Sequence, residues 1–209
     1  MITFALVNQA SLNKSEMDKL VIKTQFFLDG FCDDWEIDRV RVNSVGNFNT
    51  RNMYIGTTGR IRGIGAYHKT ISNTPAAFCL PYTAYDRFGI YHPGRTWRGK
   101  VIWKESFRPG LLTNICHEAA EMMVDPYNSE YSPPDKLGRH WRKEICDHVF
   151  GQYFTDSDKC VYPDYALPAF YELNGVKPFN RNNTIPASFT LSAKGYGYWL
   201  NNAVLEKLR

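Results

Sequence analysis

Between Leu111 and Pro126 the chain reads LLTNICHEAAEMMVDP, and four of its side chains can do chemistry: His117, Glu118, Glu121 and Asp125. At about 100° of rotation per helical residue they fall, with Asn114, on one stripe roughly 100° wide. The rest of that helix surface is apolar, and neither Lys nor Arg occurs between Leu111 and Asp125. Three carboxylates and an imidazole on so narrow a stripe repel one another unless protons, water or a cation neutralise them. A cation is the economical answer, because imidazole nitrogen and carboxylate oxygen are donors that borderline and hard metals accept. The plainer alternative is a helix with an acidic exposed edge and a satisfied histidine.

His117-Glu118-Ala119-Ala120-Glu121 carries the first half of the HExxH pattern, in which two histidines one turn apart hold zinc and the intervening glutamate serves as base. Here Glu121 takes the place of the second histidine. Residues four apart still share a helix face. The extra negative charge makes a water on the metal less acidic. Zinc commonly takes a further ligand from outside the helix, and Glu144-Ile145-Cys146-Asp147 supplies acids downstream. The expected set is therefore His117, Glu121 and Asp147 on zinc, with Glu118 as general base. Asp125 and Glu144 stand behind as hydrogen-bond partners or alternative ligands. Oxygen donors from Glu121, Asp125, Glu144 and Asp147 would instead suit calcium. The plain reading of Glu144 and Asp147 is a pair of surface acids beside Arg142 and Lys143. Among the other histidines, His68 could reach the site but reads first as a loop or core residue, His92 reads as a turn residue and His148 as a spare ligand. Cys116, on the apolar side, reads as packing.

Several elements must position this helix. Ile2–Val7 reads as a strand. A helix is predicted from Ser11 or Asn13 to about Leu28, with Gly30 as its stop. Further strands are predicted at Asp38–Val42, Met53–Ile55 and Ala76–Leu80, the last ending at Pro81. Gly63 and Gly65 precede Ala66-Tyr67-His68, and Tyr82–Val101 reads as loop more than element. Ser-Pro-Pro-Asp and Leu-Gly forbid a continued helix after Pro126. Trp141–His148 fits strand or helix, whereas Cys160–Tyr162, Ala166–Phe170 and Ala187–Leu191 look extended. A terminal helix is predicted over Leu200–Leu208. The order implies an α+β protein with an α/β-like start: one domain, 1–209, with a twisted mixed sheet against the N-terminal and central helices.

A chain of 209 residues, 44% hydrophobic and 22% charged, is large enough for a real core and argues against disorder. Its net charge of +4 comes from scattered basic residues, so nucleic-acid binding is not indicated. Without a long apolar run or a leader-like start, neither a membrane span nor a secretory signal is expected. The 5 cysteines, with no CxxC pair, argue against a disulfide framework and against a thiolate zinc cluster. The expected location is the host cytoplasm or a virus particle.

The pattern Cys116-His117-Glu118-Ala119-Ala120-Glu121 through Asp125-Pro126, then Glu144-Ile145-Cys146-Asp147, then Tyr165-Ala166-Leu167-Pro168-Ala169-Phe170-Tyr171, resembles a group of phage and bacterial HExxE-type proteins. Gly65-Ala66-Tyr67-His68, Ser188-Phe189-Thr190-Leu191 and Gly195-Tyr196 extend the likeness over about residues 60 to 200. The resemblance implies a distant relative of metzincin metallopeptidases, with a metal on His117 and Glu121 and base duty on Glu118. It departs from the metzincin pattern at Glu121, where a histidine is required, and at Asp125-Pro126, which precedes any third ligand. The functions implied are a peptidase-like zinc hydrolase acting on peptide or protein, or a non-enzymatic virion component bound to other tail, neck or capsid proteins. A structural calcium-binding protein is a third reading.

Overall fold

The computed structural model describes residues 1–46, 49–56, 66–80, 87–98, 100–201 and 204–208. The chain opens with β1 (Thr3–Asn8), whose Phe4, Ala5 and Leu6 are fully buried, the continuous apolar run that a central parallel strand requires. Helix α1 (Lys14–Trp35) follows. Its start is fixed by a reciprocal cap: Glu16 N donates to Asn13 Oδ1 at 3.0 Å, and Asn13 N donates to Glu16 Oε2 at 2.9 Å. The expected stop at Gly30 does not occur. The helix runs on to Glu36, which adopts a left-handed φ of 53°. Phe31 and Cys32 are buried on the face that carries Phe27 and Leu28, and this packing exceeds the ~1 kcal/mol cost of an internal glycine.

Strands β2 (Arg41–Asn43), β3 (Arg51–Ile55), β4 (Ala66–Ile71) and β5 (Thr74–Cys79) complete a sheet with order β2-β1-β3-β5-β4. The first four strands in that order run parallel, and β4 returns antiparallel along β5 at the edge. The second strand is shorter than the predicted Asp38–Val42. Gly63 and Gly65, and Tyr82 to Asp86, lie outside the described residues. Short strands β6 (Ile90–His92), β7 (Arg95–Trp97), β8 (Lys100–Trp103) and β9 (Ser106–Arg108) then pair as β6 with β9 and β7 with β8. This corrects the loop predicted there: the prolines and glycines mark turns between strands too short for periodicity to reveal.

Helix α2 (Leu111–Val124) packs against α1 and the β4–β5 edge. At its start, Gly110 N donates to Thr113 Oγ1, which donates in turn to Val161 O at 2.8 Å. Asp125 ends it, as expected for a residue that precedes proline. Four strands, β10 (Tyr131–Pro134), β11 (His140–Arg142), β14 (Gly197–Asn201) and β15 (Val204–Leu208), form an antiparallel sheet in that order, and β12 (Tyr153–Thr155) pairs with β13 (Val161–Pro163).

The C-terminal region departs most from expectation. Where a helix was expected over Leu200–Leu208, the described residues form the end of β14 and the antiparallel β15, with Trp199 packed on the fully buried Trp141 at 5.7 Å between ring centroids. Ala166–Phe170 leads into a 3-10 turn at Pro168–Tyr171, and Ala187–Leu191 is no strand. Phe189 N donates to Phe170 O and Ser192 N to His148 O, bonds that tie this segment beneath an aromatic cluster. One contiguous core joins the five-stranded sheet, both α-helices and these aromatics. The fold is thus mixed α and β, with a mixed sheet and, among the described residues, two α-helices. No described helix is long and apolar enough to cross a membrane.

Candidate metal centre

Helix α2 carries His117, Glu118 and Glu121 into the interior, because its opposite face is held by Ile115, Cys116, Ala119 and Met122 in the core. The turn that follows β11 brings Glu144 and Asp147 back against the helix. Neither is a surface acid: their exposures are 8% and 6%. His117 Nε2 lies 3.2 Å from Glu121 Oε1 and 3.2 Å from Asp147 Oδ1. Donors bound at about 2 Å around a tetrahedral ion are separated by roughly 3.3 Å, so the His117–Glu121 and His117–Asp147 spacings each match a pair of donors on one zinc. Asp147 Oδ1 is buried, and the His117 ring is the polar group that approaches it. Carboxylate oxygens of Glu121, Glu144 and Asp147 also lie within 4.8 Å of one another.

His68 is a buried residue that also reaches the site, the less favoured of its two expected places. Strand β4 places it at the sheet edge facing α2, where His68 Nδ1 is 3.0 Å from Glu118 Oε2 and 3.7 Å from Glu121 Oε2. It is part of the site and not a bystander. His148, expected as a spare ligand, is instead buried among aromatics. Its ring stacks on Phe170, its Nδ1 meets the Tyr171 hydroxyl at 2.9 Å, and burial lowers its pKa to about 4.

Asp125 does not converge with the other acids. Its Oδ1 accepts from Ser129 N at 2.6 Å and Glu130 N at 3.0 Å, which makes it an organiser of the chain after the helix. Arg142 Nε sits 3.6 Å from Asp125 Oδ2 and 3.2 Å from Glu144 Oε1, a neutralising cation that the sequence suggested only as a surface neighbour. Cys146 lies close as well, its backbone N donating to Glu121 Oε1 at 3.3 Å. Burial first, then the nearby acids, hold its thiol well above the ordinary range despite the opposing effect of His117.

The electrostatics express an excess of buried negative charge. Burial opposes charging His117, but the carboxylate of Glu121, with Cys146 and Asp147, outweighs it and raises the imidazole well above its usual value. For His68 burial again opposes, and the Glu118 contact with the charges of Glu121 and Glu144 raises it to about 9. Burial and the neighbouring Glu121 push Glu144 to about 9, with His68 and Arg142 pulling the other way. Glu121 is raised by burial and by Asp147 and Glu118, against the pull of His117.

These groups line a cleft of about 490 Å³, whose walls include Tyr67, Asn114, Phe150, Tyr196 and Tyr198. Burial and the Asp147 charge keep the Tyr196 phenol protonated. The buried polar cluster lines this cleft, the arrangement expected of a ligand site. The set fits a divalent cation: two imidazoles and four carboxylates converge with one guanidinium beside them. No family model, no curated protein and no solved structure matches the chain, so the functional reading rests on this geometry.

Proposed function

We propose that the protein is a metal-dependent hydrolase that cuts peptide-like substrates, with a zinc-class cation held by His117, Glu121 and Asp147 and with Glu118 as general base. The observation that carries the proposal is that His117 Nε2 lies 3.2 Å from both Glu121 Oε1 and Asp147 Oδ1, beside an open cleft. A bound cation would polarise a water and the substrate carbonyl, the Lewis-acid role such ions play in hydrolysis. Glu118 neighbours two of the proposed ligands in the helix and is fixed through Oε2 by His68 Nδ1. From there it takes a proton from the attacking water and returns it to the leaving amine as the C–N bond breaks.

Strand β4 supports a peptide over a compact substrate. It is the edge of the five-stranded sheet among the described residues, and its Ala66 and Tyr67 line the cleft. An extended chain can add to such an edge through backbone hydrogen bonds. The metzincin likeness is part of this proposal, with a glutamate in place of one histidine and Asp147 as a ligand from a later turn. A second reading has one specific support: Glu121, Glu144 and Asp147 form an oxygen-only group, which a hard ion such as calcium prefers.

The test is to load stripped protein with zinc, measure cleavage of unstructured protein, and compare Glu118→Gln. The hydrolase reading predicts equal zinc content and a rate lowered about 100-fold or more in the variant. Cleavage that persists undiminished in Glu118→Gln, or zinc-loaded protein without any cleavage, would reject it in favour of a binding or particle role.

A further inference from the structure

Glu121 presents its two oxygens to different partners. Oε1 faces His117 Nε2 at 3.2 Å and accepts from Cys146 N at 3.3 Å, while Oε2 faces His68 Nδ1 at 3.7 Å. Beyond Oε2 lies a second convergence, since His68, Glu118 and Glu121 each offer a donor atom within 4.8 Å of the others and all three are buried. We propose that the centre holds two divalent cations bridged by Glu121, the second on His68 Nδ1, Glu118 Oε2 and Glu121 Oε2. The inference rests on His117, Glu121 and Asp147 as ligands of the first ion. Paired ions in hydrolytic centres lie about 3.5–4 Å apart, a span that a carboxylate bridges with one oxygen on each.

The charge of the cluster accommodates the second ion. With every carboxylate ionised, the buried acids Glu118, Glu121, Asp125, Glu144 and Asp147 lie around one guanidinium, Arg142, and two divalent ions with both imidazoles neutral would balance them. With one ion and His117 neutral, the same balance needs protons on both His68 and Glu144.

The burial of His68 bears on the same ion. Its side chain is 4% exposed, and Nε2 is buried with no hydrogen-bond partner. As a histidinium it would bury a positive charge, whereas coordination through Nδ1 puts that charge on the ion, with the Nε2 N–H retained in both forms. Asp147 Oδ1, 3.2 Å from His117 Nε2, belongs to the first ion's ligands in the same cluster. Mixed imidazole and carboxylate donors suit zinc, manganese or cobalt. Occupancy of this site takes Glu118 Oε2 as a ligand and leaves Oε1 as the basic atom of that residue.

The test uses the full chain, stripped by chelator, and dialysed to equilibrium against zinc and, separately, manganese at neutral pH. Two ions per chain are expected, falling to one in His68→Gln. Electron paramagnetic resonance of the manganese form should give the exchange-coupled spectrum of neighbouring ions, a readout on unsubstituted protein that no folding defect in the variant can affect. One ion per chain, unchanged in His68→Gln, with the spectrum of an isolated ion, would overturn the second site and leave the first standing. Two ions that persist in His68→Gln would overturn this ligand assignment. No bound ion at all would overturn the hydrolase reading as well.

Discussion

Replacing Glu144 with glutamine separates the effect of buried charge from that of the metal. In metal-free protein, burial and the Glu121 carboxylate raise Glu144 from its ordinary 4.5 to about 9. For an acid raised on folding, the folded state binds the proton more tightly. Its contribution is therefore complete below pH 4.5 and is lost as pH rises toward about 9. At neutral pH, about 2.5 pH units above the unfolded value, the loss comes to roughly 3 kcal/mol. Glutamine keeps the shape and an oxygen for Arg142 Nε, now 3.2 Å from Glu144 Oε1, and cannot ionise. Glu144→Gln in the presence of chelator should therefore raise the melting temperature near neutrality by about 5–10 °C for a chain of this size. The difference should vanish below pH 4.5, where the wild-type acid is protonated in both states. With zinc present the variant should lose its advantage, because the ion gains from the carboxylate that glutamine lacks. Thermal melts across pH, with chelator and with zinc, provide the assay. A variant that is less stable at neutral pH without metal, or a gain that does not change with pH, would refute the reasoning.

Asp135 should behave oppositely: against burial, bonds from Arg139, Trp141 and the Leu137 backbone lower it from 3.8 to about 2. Its stabilisation is present above pH 3.8 and lost as pH falls through about 2, so Asp135→Asn should cost about 2 kcal/mol near neutrality and nothing in strong acid, as read by denaturant melts. Gly30→Ala should stabilise by about 0.5–1 kcal/mol, because the nearest atom to a new Cβ is Arg181 Nη1 at 3.8 Å and the helix already runs through that position; a loss in thermal melts would contradict this. Gly89→Ala should destabilise in the same assay, since φ is 75° and the new Cβ would stand 2.6 Å from Val161 Cβ.

The central helix was legible because its signal is local: His117, Glu118 and Glu121 share a face by helical geometry alone, and Pro126 marks its end. Asp147 and Glu144 were reachable because two acids beside a histidine-bearing helix suit a metal. His68 could be named but not chosen, since it reaches Glu118 only through the antiparallel pairing of β4 with β5, a contact between residues 50 positions apart that no periodicity encodes. Asp125 lay on the stripe by angle, yet the turn after the helix claims it through Ser129 and Glu130. The terminal hairpin was missed because Leu200, Val204, Leu205 and Leu208 match helical spacing, while cross-strand pairs such as Leu200 with Leu205 depend on a turn. Gly30 failed as a stop for the converse reason, a distant aromatic core holding Phe31 and Trp35 in the helix.

Calorimetric titration of zinc into chelator-stripped protein in buffers of different ionisation heat tests the claim that these side chains converge on a cation. Because His117 is raised well above its ordinary range and protonated at neutral pH, binding must expel its proton. The account predicts micromolar or tighter binding with a buffer-dependent heat, and loss of that binding in His117→Ala and Glu121→Ala. No saturable binding, or binding unchanged in both variants, would contradict it.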